Sequence, residues 1–234
     1  MPRTAQRTSP RSATRSARTL ACAAVVLPAL LVAGCSSESG GEPASSEQGE
    51  STPSAAPVKF KELPDACRTV SKDTVKKLTP KTENASGKRI GTGNTQDSGS
   101  CLWSGLDKFD YRQLTVSLKR FDSDASRGSG DKLAGAFLQQ QVDALKTDKA
   151  NKDLKTEPVK GIGEQATAVS YEVDKKDGEK SESFREERLV VREANVVVSV
   201  DYSGAGFEDA KLPKAADLGK NAEKAAGEAV ASLK

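Results

Sequence analysis

Cysteine is the first residue type in this chain whose number and spacing could support chemistry: Cys22, Cys35, Cys67 and Cys101 occur, and there is no histidine. Without imidazole the chain lacks Ser-His-Asp and Cys-His catalysis in their usual forms, together with the commonest metal ligand. Cys67 and Cys101 would close a loop of about 35 residues, and in an exported protein they are expected to pair, stabilising the fold by roughly 4 kcal/mol on the chain-entropy model. A metal pair and a redox couple are the rival readings, and neither finds a CxxC spacing or a histidine to complete it. With both thiols in a disulfide, catalysis would fall to carboxylates or a Ser-Lys arrangement, and neither is legible. No catalytic, cofactor-binding or metal-ligating residue is assigned, and no cofactor is expected.

Other local patterns have plain structural explanations. GIGEQA, Gly161 to Ala166, matches the letters of a dinucleotide fingerprint, but a strand pattern follows it where a helix is required, so a glycine turn is expected. Glu186 and Glu187 are neighbours in an extended run, so their side chains point to opposite faces and cannot form one carboxylate pair; a solvated face is expected for them. RFDSDASRGSGDK reads as a flexible, solvated loop, and Asn84-Ala85-Ser86 as a chance glycosylation sequon. Trp103, the one tryptophan, lies two residues after Cys101 and shares its strand face. It is expected to pack against the disulfide, the alternative being an aromatic platform at a binding groove.

The elements around these residues begin with an export signal, residues 1–34. Arg3, Arg7, Arg11, Arg15 and Arg18 precede an apolar run from Leu20 to Ala33. That run is about 14 residues, shorter than the roughly 20 that span hydrocarbon as a helix. Val32-Ala33-Gly34-Cys35 resembles the lipobox of bacterial lipoproteins, in which a cysteine after small residues receives diacylglycerol; an ordinary cleavage site with a chance cysteine is the alternative. On the first reading Cys35 becomes the lipidated N-terminus, and each further buried methylene adds about 0.8 kcal/mol of anchoring.

Residues 35–57 comprise that cysteine and a polar stretch, SSESGGEPASSEQGESTPSAAP, too poor in apolar residues to build a core. As a random coil it would hold the folded part of the chain about 25 Å from a bilayer. Without the five signal arginines the chain carries 31 basic and 33 acidic residues, both signs interspersed. That balance leaves no basic stripe for nucleic acid and no polybasic segment for anionic lipid.

Residues 58–234 fit one domain with one core. Val70 to Pro80 reads as a short helix capped by Ser71, with Asp73 at its positive end and Val70 and Val75 as a hydrophobic staple. KTENASGKRIGTGNTQDSGS reads as a long loop, and Cys101 starts a strand. In RQLTVSLKRF, Leu114, Val116 and Leu118 alternate with polar residues, the pattern of a strand buried on one face. Asp131 to Leu145 changes to helical period, with Leu133, Phe137, Leu138, Val142 and Leu145 on one stripe. Three extended runs come next, Ala166 to Val173, Phe184 to Arg192 after an Asp177-Gly178 turn, and Asn195 to Tyr202; the middle one is charged enough to be exposed on one side. A last helix places Leu218, Ala222, Ala225, Ala226, Ala229 and Leu233 on one stripe. The expected fold is α+β: a single domain, an antiparallel sheet of about five strands with helices packed against it, and one disulfide.

The lipobox VAGC, the polar stretch, PDAC at Pro64 to Cys67 with a short helix after it, and CLW at Cys101 to Trp103 together resemble the actinobacterial lipoproteins grouped as domain of unknown function 3558. The resemblance implies an exported, lipid-anchored domain with a paired cysteine, and it brings no catalytic residues. The expected function is a non-enzymatic binding or protein-interaction module on the extracytoplasmic face of the cell membrane, held there by lipid on Cys35. A carrier of an apolar envelope ligand and a carboxylate-based envelope hydrolase are the alternatives.

Overall fold

The computed structural model describes residues 55–91, 96–177 and 180–234, all within the second of two compact units, Glu50–Lys234. The export signal, Cys35 and residues 36–54 lie outside the described residues.

In chain order the elements are a 3-10 turn at Ala66–Arg68, α1 (Lys72–Leu78), β1 (Lys88–Ile90), β2 (Ser98–Asp107), β3 (Asp110–Arg120), α2 (Gly130–Thr147), β4 (Lys152–Val159), β5 (Gln165–Asp177), β6 (Lys180–Glu193), β7 (Val196–Gly206) and α3 (Ala215–Ala231). The strands form one antiparallel sheet in the order β1-β2-β3-β7-β6-β5-β4. A strand buried on both faces is apolar almost throughout, and VVVSVDYSGAG has that character. It is buried at every position except Asp201 and Gly206, and it is the middle strand of the seven.

Alternation along the strands sends residues to two faces. On one face Leu114, Val116, Leu118, Leu189, Val191, Val198 and Val200 pack with Val75 and Leu78 of α1 and with Leu218, Ala222, Ala225, Ala226 and Ala229 of α3. The alanine stripe carries little bulk, so α3 lies close to the sheet. On the opposite face Val169, Val190 and Val197 meet Ala134, Leu138, Val142 and Leu145 of α2. Leu133 and Phe137, expected on that stripe, lie at its margin and are only half-buried, with Phe137 against Phe121 at 5.3 Å between ring centroids. Leu233 lies beyond the end of α3, half-buried against the first cluster.

The helix starts follow sequence chemistry. Ser71 accepts from the Thr74 N–H and Ser129 from the Lys132 N–H, each at 3.3 Å, as N-caps do. α1 is also held from outside: the Glu228 carboxylate of α3 accepts from the Ser71 N–H at 2.7 Å and the Thr74 hydroxyl at 2.5 Å. Burial alone would raise the Glu228 pKa, but these hydrogen bonds outweigh it and the group titrates lower than usual.

The sheet has seven strands rather than the expected five. β1 is a three-residue KRI with each residue exposed, inside the polar run that reads as loop, and β2 starts at Ser98, three residues before Cys101. β4, KDLKTEPV, buries no residue and half-buries only Leu154 and Val159, so it shows no alternation to detect. Both are outermost strands, and β4 has the lysines, proline and register shift that discourage edge-to-edge pairing. Gly178 of the expected turn lies outside the described residues, while Asp177 and Lys180 pair on either side of it.

Asn195 is not the start of a strand. It follows Ala194, which has a φ of 49°, in the tight β6–β7 connection, and it is fully buried. Its amide accepts from the Phe60 N–H at 2.9 Å and donates to the carbonyls of Phe60 and Phe121 at 2.9 and 3.0 Å. These bonds hold Phe60, at the start of the domain, in the core. Among the described residues no helix is long and apolar enough to cross a membrane.

Candidate functional site

The Cys67–Cys101 disulfide forms, with 5.0 Å between Cα atoms, and joins the 3-10 turn to β2. Trp103 beside it is 1% exposed and donates its indole N–H to the Ala85 carbonyl at 3.3 Å. The ring is core, not a platform. Asn84 accepts from the Ser86 N–H and donates to the Gly87 carbonyl, both at 2.9 Å, so this part of the sequon is a structural turn over the indole.

Gly161 and Gly163 both have positive φ and turn the chain from β4 into β5, the role expected of GIGEQA. The RFDSDASRGSGDK segment is more organised than a solvated loop. Asp124 accepts from the Ser126 N–H at 2.9 Å, the Ser126 hydroxyl at 2.6 Å and the Arg127 N–H at 2.8 Å, which draws its pKa down to about 2. Arg120 is ion-paired with Asp97 and Asp122.

The expectation of a solvated face at Glu186 and Glu187 is overturned: they are 7% and 6% exposed. β6 lies between β5 and β7 with helices over both faces, so its charged residues are covered on either side. Glu186 points to the α2 face, where its carboxylate is 2.6 Å from the Lys175 ammonium, and that ammonium also lies 4.2 Å from the Phe184 ring centroid. Burial raises the Glu186 pKa against the opposing pull of Lys175. Arg188, on the same face, is paired with Asp201. These charges are paired with one another, although Glu186 Oε1 is buried with no hydrogen bond among the described residues.

Glu187 points the other way, towards α3. The antiparallel register sets it opposite Ser170 of β5 and Tyr202 of β7. Above it α3 presents Gly219, where a Cβ would sit 4.0 Å from the Glu187 carboxyl carbon. Gly219 lines a groove of about 760 Å³ between α3 and the β4–β6 edge of the sheet. Ala168, Ser170 and Glu187 belong to its sheet wall; Glu157 and Lys155 come from β4, and Lys220 and Glu223 from α3.

Arg185 also lines this groove but is already engaged. It is ion-paired with Glu172 and donates to the Pro213 carbonyl at 2.5 Å. Glu187 has no hydrogen-bond or ion-pair partner among the described residues. Burial, reinforced by the charges of Glu157 and Glu223, pushes its pKa up to about 7. No group of three or more histidine, cysteine or acidic side chains among the described residues is arranged to hold a metal ion.

Sequence reasoning placed Glu187 on a strand face but missed its burial. The missed signal is joint: a charged residue on a strand with neighbours on both sides, beneath a glycine in a helix otherwise lined with alanine.

The fold and groove define a three-layer domain in which one antiparallel sheet carries helices on both faces and a buried carboxyl opens to one side. No family model matches the chain, that of domain of unknown function 3558 included, and no curated protein matches it. Among solved structures the chain is similar to LpqN, described as involved in cell envelope biogenesis of Mycobacterium tuberculosis, at 13% identity over 61% of this chain and 82% of that one, with a TM-score of 0.31. An identity and score that low transfer neither residues nor activity.

Proposed function

We propose that the protein is a membrane-anchored lipoprotein of the kind grouped as domain of unknown function 3558, acting as a non-enzymatic binding module on the extracytoplasmic face of the cell envelope. Lipid on Cys35 supplies the anchor, and the polar stretch 36–57 sets the domain off from the bilayer. The observation that carries the binding role is the groove over Glu187, a concave site into which one carboxyl opens without a hydrogen-bond or ion-pair partner among the described residues. Against catalysis stand the absence of histidine, the disulfide that occupies Cys67 and Cys101, and the opposite facing of Glu186 and Glu187. An apolar carrier is the weaker reading, because apolar side chains fill both sheet–helix layers and the groove is edged with charge.

Two measurements test this reading. Cys35→Ala should release the chain from the membrane fraction, and retention there would reject the anchor. A photo-crosslinking residue in place of Glu223, at the groove, should give a discrete adduct in intact cells that the same residue at Lys108, on the β2–β3 turn, does not. Equal labelling at both positions, or none at the groove, would reject the groove as the binding surface.

A further inference from the structure

We infer that the groove between α3 and the β4–β6 sheet edge binds a primary ammonium group, seated on the Glu187 carboxylate, of a slender ligand whose other end is anionic or neutral. The inference rests on the binding-module reading and names the chemistry that the site would take.

Three observations converge on it. Glu187 is 6% exposed, faces the groove and has no hydrogen-bond or ion-pair partner among the described residues. Its carboxyl therefore opens to the groove rather than to the packed interior, where an ionised oxygen with no partner from the chain is available to a donor that enters from outside. The nearby acids Glu157 of β4 and Glu223 of α3 add to the negative field at the carboxyl, so the missing partner is a cation. Gly219 leaves the space directly over the carboxyl where that cation can enter.

The rest of the wall narrows the ligand. A divalent metal would need more ligands than are assembled, since no metal-holding acidic group is present among the described residues. An ammonium needs fewer: it is compact and carries three donors for carboxylate and hydroxyl oxygens. Ser170, opposite Glu187 in the register, adds a hydroxyl to the same wall. Lys155, Lys160 and Lys220 also line the groove, which disfavours a polycation and favours a ligand that is neutral or anionic away from its ammonium.

Binding is coupled to the proton on Glu187. The charged groups around it are Asp153, Lys155 and Glu157 from β4, Lys160 just after it, Glu172 from β5, Arg185 from β6, and Lys220 and Glu223 from α3. Glu172 and Arg185 are paired with each other. With a pKa of about 7 the carboxyl is largely protonated in mild acid and largely ionised in mild base, so an ammonium binds better as pH rises through that value.

The test uses the full chain in detergent micelles, with 6-aminohexanoate as probe and its N-acetyl derivative as control, read by backbone amide shifts at Ser170 and Gly219. At pH 7.5 the amine is expected to shift both resonances saturably. Its affinity should fall roughly ten-fold or more at pH 5.5, as the carboxyl gains its proton. The N-acetyl form, and the amine on Glu187→Gln, should each lose at least a similar factor. Gly219→Leu keeps Glu187 but fills the space above it, and it should abolish the shift at Ser170, with folding of both variants checked by Trp103 fluorescence. No saturable shift with the amine, equal affinity for both probes, or an affinity indifferent to pH and to both substitutions would overturn the inference. Equal binding of both probes would still leave a functional groove; absence of an adduct at the groove position in cells is what removes the binding-module reading.

Discussion

Glu186 and Glu187 are consecutive residues of β6, both buried, yet they face opposite sides of the sheet: Glu186 is 2.6 Å from the Lys175 ammonium, while Glu187 has no partner among the described residues. The difference follows from what covers each face. On the α2 side a lysine from β5 reaches the carboxylate. On the α3 side a glycine stands above it and a groove opens. Adjacent positions of one strand thus hold an ion-paired acid, whose Oε1 is buried without a hydrogen bond among the described residues, and an acid whose carboxyl opens to a groove.

Glu187→Gln should stabilise the protein in a pH-dependent way. A pKa raised from 4.5 to about 7 means that the folded state holds its proton longer than the unfolded chain. Stability from this group is fully present below about pH 4.5 and falls as pH rises to about 7, a loss of at most about 3 kcal/mol. Denaturant unfolding should therefore find the variant more stable than the parent at pH 8, by about 1–3 kcal/mol, and nearly equal to it at pH 4.5. A stability difference that does not change with pH would contradict the burial account.

Removing the disulfide should cost more than any surface change. Cys67 and Cys101 are 34 residues apart in sequence, and Cys101 is fully buried. The double variant Cys67→Ala, Cys101→Ala is expected to lose about 4 kcal/mol, measured as a lower guanidinium midpoint. An unchanged midpoint would mean that the cross-link does not restrain the unfolded chain.

Gly87→Ala should be severe for a single methyl group. Gly87 has a φ of 77°, and an added Cβ would press on Cys101 Sγ and come within 2.6 Å of Trp103 Nε1. Backbone strain and overpacking act together, for about 3 kcal/mol of destabilisation. The indole should lose its bond to Ala85 and report the change as a shifted fluorescence maximum. A neutral effect on both stability and emission would show that the turn can move aside.

The legible parts of the fold were those with internal periodicity. Leu114, Val116 and Leu118 alternate because one face of β3 meets α1 and α3; the alanines of α3 recur at helical spacing because that helix lies close to the sheet. β1 and β4 were not legible, since exposed outer strands bury too little to impose a pattern. Asn195 and Glu187 were hidden for another reason. A buried polar residue looks like a surface residue in sequence, and only the pairing of distant strands shows that Asn195 clamps Phe60 and that Glu187 faces Gly219. Cysteine count pointed to the disulfide that forms between Cys67 and Cys101, but no spacing rule pointed to a single carboxyl under a helix.

The opening of the Glu187 carboxyl into the groove, with no partner among the described residues, is tested most directly by following its side-chain carboxyl carbon in a carbon-13 NMR titration of the full chain. A midpoint at about 7 is predicted, well separated from the exposed glutamates. A midpoint at 4.5 or below would show that Glu187 is solvated or already paired, and the groove would lack the group that makes it a binding site.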